Sequence, residues 1–304
     1  MINKILIFGG SGLVGSRFVE ANRDTLEIDS PAVEEVDILN RDQISKKFEE
    51  LDPDAVINFA AYTNVEEAEN QKDDENGLCF KVNVMGAKNV AEACKKFDKY
   101  LIHISTDYVF NGEKNEPYIE GDIPDPINWY GMTKYLAEQQ VLASGCLSEI
   151  VRISMPYRAN YEVKLDIGRF FLEQLRGGNQ INTITDQKIT PTFVDDIAAA
   201  LSEIIKKRFD GVIHVSCISE TTPFEFATTI ARVFGLNESL VNGISLLEYN
   251  STKKAKMPKN SALNPAKFNS LFPTVLHTLD ESINLFKAAV ENSGKIRYSY
   301  GYGR

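Results

Sequence analysis

Tyr130 and Lys134 stand in the run Tyr-Gly-Met-Thr-Lys, and a four-residue separation puts two side chains on one face of a helix. A phenol with a pKa of about 10 exchanges protons poorly at neutral pH, whereas an adjacent ammonium favours phenolate and brings the pair into a working range. By itself Tyr-x-x-x-Lys is a frequent accident on helix surfaces. A second run, Ser105-Thr106-Asp107-Tyr108-Val109-Phe110, gives it context. That run begins where an apolar strand over residues 100–105 ends, the edge at which open α/β sheets bind their ligands. Either Ser105 or Thr106 has a hydroxyl to offer a carbonyl oxygen. The plainer alternative is side chain to backbone bonding at a strand-to-loop turn.

A third signal lies at the start of the chain, where Gly9-Gly10-Ser11-Gly12-Leu13-Val14-Gly15 follows an apolar run directly. Glycine at positions 9, 12 and 15 allows a tight turn, lets a pyrophosphate approach backbone N–H groups, and packs the following helix against the strand. Asp29 comes about 20 residues after Gly9, at the end of the next strand, where a carboxylate holds the adenosine ribose hydroxyls of a dinucleotide. Its alternative is a turn residue before Ser30-Pro31. A carboxylate there repels a 2′-phosphate and favours NAD over NADP, although Arg23 and Arg41 are near enough in sequence to compensate. Asp37 either borders the adenine pocket or caps the next helix.

These residues need a frame, and the hydropathy pattern supplies one. Apolar runs at 4–8, 25–28 and 55–59 alternate with amphipathic stretches at 13–21 and 41–50, the order of a doubly wound parallel sheet. The alternation continues through a helix at 81–97, the strand at 100–105, a helix at 130–143 and a strand at 149–154. Short apolar runs suit strands covered on both faces. The predicted fold class is therefore α/β, a Rossmann sheet over residues 1–155 with a segment near 190–216 returning to it. A smaller, partly interleaved α/β substrate domain takes most of 156–304, with helices at 170–175, 194–206 and 223–234 and a strand at 211–216. Residues 111–128, rich in Pro, Gly, Asp and Glu, form either a lid facing the substrate or a solvated excursion. The tail from Lys295 has little periodicity and is expected to fray.

Composition bounds the rest. A hydrophobic fraction of 43% with 25% charged residues is that of a folded globular chain. A net charge of -10 argues against a nucleic-acid or anionic-membrane surface. The first apolar run is too short for a secretory leader, and no stretch is long enough to span a bilayer, so a cytoplasmic protein is expected. Cys79, Cys94, Cys146 and Cys217 lack the spacing of a metal or disulfide motif and read as packed thiols, and no metal is predicted. His103 reads as a packed histidine, and His214 and His277 have no acidic or nucleophilic partner close in sequence, which leaves a Ser/His/Asp hydrolase without basis.

Taken together, Gly9-x-x-Gly12-x-x-Gly15, Asn58-Phe59-Ala60-Ala61-Tyr62-Thr63, Asn83 with Gly86, Ser105 to Phe110 and Tyr130-x-x-x-Lys134 resemble an extended short-chain dehydrogenase/reductase. More narrowly, Glu66-Glu67-Ala68-Glu69, the Ser-Thr-Asp-Tyr-Val-Phe-Asn-Gly run, Thr185-Asp186-Gln187 with Pro191-Thr192, and Pro258 to Leu263 are similar to landmarks of the dTDP-4-dehydrorhamnose reductase family over nearly the whole chain. The resemblance implies NADH or NADPH as cofactor and reduction of the 4-keto carbon of a nucleotide-linked deoxyhexose. It assigns proton donation to Tyr130, the nicotinamide ribose to Lys134, and carbonyl orientation to Thr106 rather than Ser105. Gly12, Leu13 and Val14 would meet the pyrophosphate, and Ala60, Ala61 and Tyr62 would line the cofactor. Departures fall at Met155, where the family commonly has tryptophan, around Arg169-Phe170, and at residues 75–80, which look like extra sequence. The family also resembles the regulatory β subunit of methionine adenosyltransferase, so a non-catalytic nucleotide-binding subunit is one competing expectation. A reductase or epimerase for another nucleotide sugar is the other. The partners expected are a nucleotide-sugar substrate and, as one option, a second copy of the chain.

Overall fold

The computed structural model describes residues 2–297, so the end of the expected frayed tail lies outside the described residues. The chain opens with β1 (Lys4–Phe8), α1 (Leu13–Asn22), β2 (Glu27–Asp29), α2 (Arg41–Leu51) and β3 (Ala55–Asn58). Next come α3 (Val65–Glu69) and a long helix built of α4 (Leu78–Phe80), a π-helical stretch over Lys81–Gly86, and α5 (Ala87–Lys96). The pattern goes on with β4 (Tyr100–Thr106), α6 (Trp129–Ser144) and β5 (Ser148–Ile153). Then follow β6 (Pro156–Tyr157), α7 (Ile167–Arg176), β7 (Ile181–Ile184), β8 (Thr192–Phe193), α8 (Val194–Lys207), β9 (Gly211–Val215), α9 (Pro223–Phe234) and β10 (Val241–Ile244). Three helices complete the chain: α10 (Leu246–Ser251), α11 (Ala266–Leu271) and α12 (Leu279–Arg297).

Six strands pair in parallel in the order β2-β1-β3-β4-β5-β9, a doubly wound sheet whose order reverses between β1 and β3. Both faces are covered. One core joins Ile5, Ile7, Ile57 and Ile102 to α1, α8 and Phe268 of α11, and the other joins Leu6, Val56, Leu101 and Ile150 to α2, α5 and α6. Burial on two sides is why these strands read as unbroken apolar runs. A separate core packs Tyr157, Phe171, Phe193, Phe226 and Phe286 among α7, α9 and α12, beside the small β7-β10 pair. The chain crosses back to the large sheet through α8, which lies on α1, and β9, which forms the far edge.

Local chemistry sets the ends of the key helices. α6 starts at Asn128, whose side chain accepts from the Gly131 amide, and stops at left-handed Gly145. α9 carries a capping box between Thr222 and Glu225 with Pro223 in its first turn, and its bounds match the sequence expectation. α2 is capped by Asn40, not by Asp37, whose carboxylate instead accepts the Leu39 amide in a local turn. The two-residue and four-residue strands β6, β7, β8 and β10 were not predicted, because so few residues carry no readable alternation.

Two irregular regions take a definite form. Residues 75–80 lead into the long helix, and its π-helical stretch around Asn83 is the kind of bulge that accommodates an added residue. The 111–128 segment is anchored at its centre while much of it stays exposed to solvent. Tyr118 stacks on Phe110 at 4.1 Å, donates its hydroxyl to Asn111, and exchanges backbone bonds with Ala262 and Asn264.

Candidate active site

The loops that follow β1 and β3 flank the crevice where the sheet order reverses, the usual ligand position in this architecture. Gly9 adopts φ +76°, and a Cβ built there would lie 2.5 Å from the Ala60 amide nitrogen. At Gly15 a Cβ would lie 2.6 Å from the Gly9 carbonyl, which itself accepts the Gly12 amide at 3.1 Å. Gly12 is the N-cap of α1 and brings no capping side chain, so the first amides of α1, from Leu13 onward, remain open to an anion. This self-packed glycine turn fits a dinucleotide diphosphate. Ala60 is anchored by its amide to Asn58, and Tyr62 donates its amide to Asn83 at 2.7 Å. Asn83 also donates to Thr133 of α6 at 2.9 Å and so joins the β3 loop to the helix carrying Tyr130. It was visible in sequence as a motif residue; its partners lie 21 and 50 positions away.

Asp29 ends β2 next to the turn, as expected, but its carboxylate pairs with Lys47 at 2.8 Å. The charge argument for NAD over NADP therefore loses its premise, because Asp29 is not an isolated anion. Arg41 is engaged by Asn89 and Glu92. Lys47 lies inside α2, one strand-to-helix crossing away from Asp29, where no sequence motif pointed to it.

Thr106, Tyr130 and Lys134 come together at the carboxyl end of β4. The Thr106 hydroxyl donates to Asp107 at 3.0 Å and stands close enough to the Tyr130 phenol to act on it, while Lys134 donates to the Ile104 carbonyl at 2.6 Å. Ser105 is taken up elsewhere: its hydroxyl points to buried Glu138. Strand alternation sends neighbouring side chains to opposite faces, and this separates the two hydroxyls that sequence left open.

The electrostatics depart from the simple pairing of phenol and ammonium. Burial, and then Asp107, hold the Tyr130 phenol well above its ordinary value, with Thr106 opposing them. Burial brings Lys134 down to about 8, with Glu138 opposing. Asp107 is buried under hydroxyls from Ser261, Ser154 and Thr106, and desolvation pushes it up to about 6. Lys134 is not among the groups that chiefly shift the phenol, its ammonium being turned to the strand carbonyl.

A strap after β6 crosses the glycine turn. Tyr161 donates its hydroxyl to the Ser11 carbonyl, Arg158 donates to the Leu13 carbonyl and Ser16, and Lys164 reaches Thr63 of the β3 loop. Arg169 fastens the strap through Asp166 and the carbonyls of Tyr161 and Lys164. Sequence reading missed Arg158 and Tyr161, whose partners lie 142 to 150 residues away.

Next to the strap a cavity of about 320 Å³ is lined by Met155, Phe170, Gln187, Tyr249 and Met257, among others. Met257 accepts a bond from Tyr108, whose ring meets Tyr130 edge-on at 5.8 Å, so the cavity adjoins the Tyr130 region. Met155 holds φ +38°, a left-handed conformation uncommon outside glycine. None of the three histidines bonds to Thr106, Tyr130 or Lys134, although His103 lies near the Lys134 ammonium. His103 is buried in β4 beside Asn58, His214 contacts Arg152 and the Tyr118 carbonyl, and His277 pairs with Asp196 at 2.8 Å, an acidic partner 81 residues away. All four cysteines are buried free thiols. No helix among the described residues is long and apolar enough to cross a membrane.

Comparison with known proteins agrees with this geometry. The family model described as the RmlD substrate binding domain matches residues 3–291. A dTDP-4-dehydrorhamnose reductase of Aggregatibacter actinomycetemcomitans is 30% identical over 88% of this chain and 93% of that protein. The methionine adenosyltransferase 2 subunit beta of Mus musculus is 28% identical over 88% of this chain and 82% of its own length. The solved dTDP-4-dehydrorhamnose reductase of Bacillus anthracis in complex with NADP superposes with a TM-score of 0.86 at 29% identity, covering 95% of this chain and 99% of that one. A glycine turn at the sheet switch point, a Thr-Tyr-Lys cluster at the carboxyl end of β4 and a family match along nearly the whole length lead to one assignment: the chain belongs to the dTDP-4-dehydrorhamnose reductase family.

Proposed function

We propose that the protein reduces the 4-keto group of a nucleotide-activated deoxysugar with NADH or NADPH. The observation that carries this reading is the convergence of Thr106, Tyr130 and Lys134 beside a glycine turn fitted to a dinucleotide. When bound, the nicotinamide cofactor supplies the hydride. Tyr130 gives its proton to the carbonyl oxygen as negative charge develops there, and Thr106, beside the phenol, orients the same oxygen. Lys134 holds the nicotinamide ribose. With three N–H donors its ammonium can keep the Ile104 carbonyl while it meets the ribose. Gly9, Gly12, Leu13, Val14 and Gly15 cradle the diphosphate, Asp29 meets the adenosine ribose, and Ala60, Ala61 and Tyr62 line the cofactor. Asp37, one of whose carboxylate oxygens accepts the Leu39 amide, borders the adenine. The residues around the β7-β10 pair and the 320 Å³ cavity form the substrate side.

A role as a non-catalytic nucleotide-binding subunit is the second reading, favoured by the match over 88% of this chain to a mouse protein named as a subunit of methionine adenosyltransferase. The intact Thr-Tyr-Lys cluster weighs against it, because binding alone has no use for a placed proton donor. The test is oxidation of NADPH and NADH with a panel of 4-keto sugar nucleotides, using wild type and Tyr130→Phe. Loss of general acid catalysis lowers kcat by about 10²- to 10⁴-fold while cofactor binding persists. A Phe variant at full rate removes Tyr130 from the mechanism, and a wild type that binds cofactor but turns over no keto sugar favours the second reading.

A further inference from the structure

We propose that Glu138 is a positioning residue for this reaction: together with Lys134 it clamps α6 to β4, and it supplies the counter-charge to the buried Lys134 ammonium. The proposal rests on the reductase reading of the site and adds to it a residue with no substrate contact.

The geometry is a two-point grip. Glu138 follows Lys134 by one helical turn, so both face the same way from α6. Lys134 donates to the carbonyl of Ile104, and the next residue of β4, Ser105, donates its hydroxyl to Glu138. The residue after that is Thr106, whose hydroxyl donates to Asp107 beside the Tyr130 phenol. A slip of the helix along the strand would therefore break both grips and misalign Thr106 with Tyr130. Behind Glu138, Arg152 of β5 donates from Nε at 2.9 Å and from Nη2 at 2.7 Å, and its guanidinium lies 5.1 Å from the Phe110 ring centre. Glu138 is 1% exposed and Lys134 3%. Buried ion pairs of this kind are often no more stabilising than well-packed apolar side chains, so stability alone does not explain one at this place.

The charges facing Lys134 single out the same residue. Around it stand Glu138 from α6, the Cys79 thiol from α4 and His103 from β4, with Tyr130 one helical turn back along α6. Burial raises the thiol and lowers the imidazole, so both are neutral near pH 7, and the phenol is protonated. Glu138 is the anion left to balance the ammonium, and it shares that charge with Arg152. Removing the carboxylate lowers the Lys134 pKa and ends activity at a lower pH. Removing Arg152 leaves Glu138 to Lys134 alone and has the opposite sign.

The experiment compares wild type, Glu138→Gln, Arg152→Met and Ser105→Ala by thermal unfolding, by kcat/KM against pH with a 4-keto sugar nucleotide, and by NADPH fluorescence titration across the same pH range. In Glu138→Gln the alkaline limb of both profiles moves down by about one pH unit, a loss of about fivefold at pH 8 and about tenfold above pH 9. In Arg152→Met the limb moves up. Ser105→Ala keeps the ion pair, leaves the limb in place, and lowers kcat about threefold or more while KM stays within about twofold, as expected for a misplaced rather than a weakened site. Limbs that stay put, or move together in the two charge variants, overturn the proposal. Should either charge variant fail to fold, an unchanged kcat in Ser105→Ala overturns it as well. A wild type without turnover would count against the reductase reading, whereas coincident NADPH titrations of wild type and the folded charge variants would count against the role of Glu138.

Discussion

Gly9, Gly12 and Gly15 share one motif but are glycines for different reasons, and alanine substitutions should separate them. A methyl at Gly9 lies 2.5, 2.7 and 2.8 Å from backbone atoms of Ala60 and Phe59, well inside the ordinary contact of 3.4 Å. The residue also sits at φ +76°, which costs a side chain about 1–2 kcal/mol, and a forced backbone shift adds about 1–3 kcal/mol. Gly9→Ala is therefore expected to lose about 2–5 kcal/mol and to lower Tm by roughly 5–10 °C. Gly15→Ala meets the Gly9 carbonyl at 2.6 Å and the Gly10 Cα at 2.9 Å without the φ penalty, so it loses about 1–3 kcal/mol. At Gly12 the methyl meets only the Gly9 carbonyl, at 3.2 Å, in an extended backbone that any residue adopts. Gly12→Ala should melt within about 3 °C of wild type. Its methyl occupies the open turn, and NADPH affinity should fall at least about tenfold, or about 1.4 kcal/mol. Circular dichroism on heating and NADPH fluorescence titration read the two effects independently. The reasoning is refuted if Gly12→Ala binds NADPH like wild type, or if Gly9→Ala melts with it.

Three further outcomes follow from particular contacts. Glu149 is buried in β5 with both carboxylate oxygens unpartnered, and burial raises it to about 7. An acid whose folded pKa is raised destabilises the fold as pH climbs from its unfolded value toward 7. Glu149→Gln should thus gain up to about 3 kcal/mol at pH 8 and nothing near pH 4.5, measured by denaturant unfolding at both pH values; equal gains at both would be inconsistent with titration of this group. Lys47→Gln unmasks the Asp29 charge, and the ratio of NADP to NAD affinity by calorimetry should fall by about tenfold; an unchanged ratio would show that the pair lies outside the reach of the 2′-phosphate. Met155→Gly relieves a left-handed φ of +38° and should raise stability by about 0.5–1 kcal/mol, while loss of the thioether from the cavity raises KM for the keto sugar more than it lowers kcat. A lower Tm in that variant would mean that Met155 packing outweighs its strain.

Whatever depended on neighbours in sequence was legible before any coordinates. Three glycines at three-residue spacing fixed a turn, four residues between Tyr130 and Lys134 fixed a shared helix face, and unbroken apolar runs marked strands covered on both sides, because each is a local consequence of backbone period and side-chain size. Local pattern was silent where partners are distant. Spacing left Ser105 and Thr106 open and the family resemblance favoured Thr106; the folded chain gives the Ser105 hydroxyl to Glu138 and keeps Thr106, bonded to Asp107, beside Tyr130. It likewise put Lys47 on Asp29, Asn83 between Tyr62 and Thr133, and Arg158 and Tyr161 over the glycine turn. The phenol, expected to be eased by its ammonium neighbour, is instead held up by burial and by Asp107, since desolvation and the direction of a lysine side chain are properties of the packed interior. Spacing along a chain sets which groups can share a face; the contacts that orient and charge them close only when segments far apart in sequence meet.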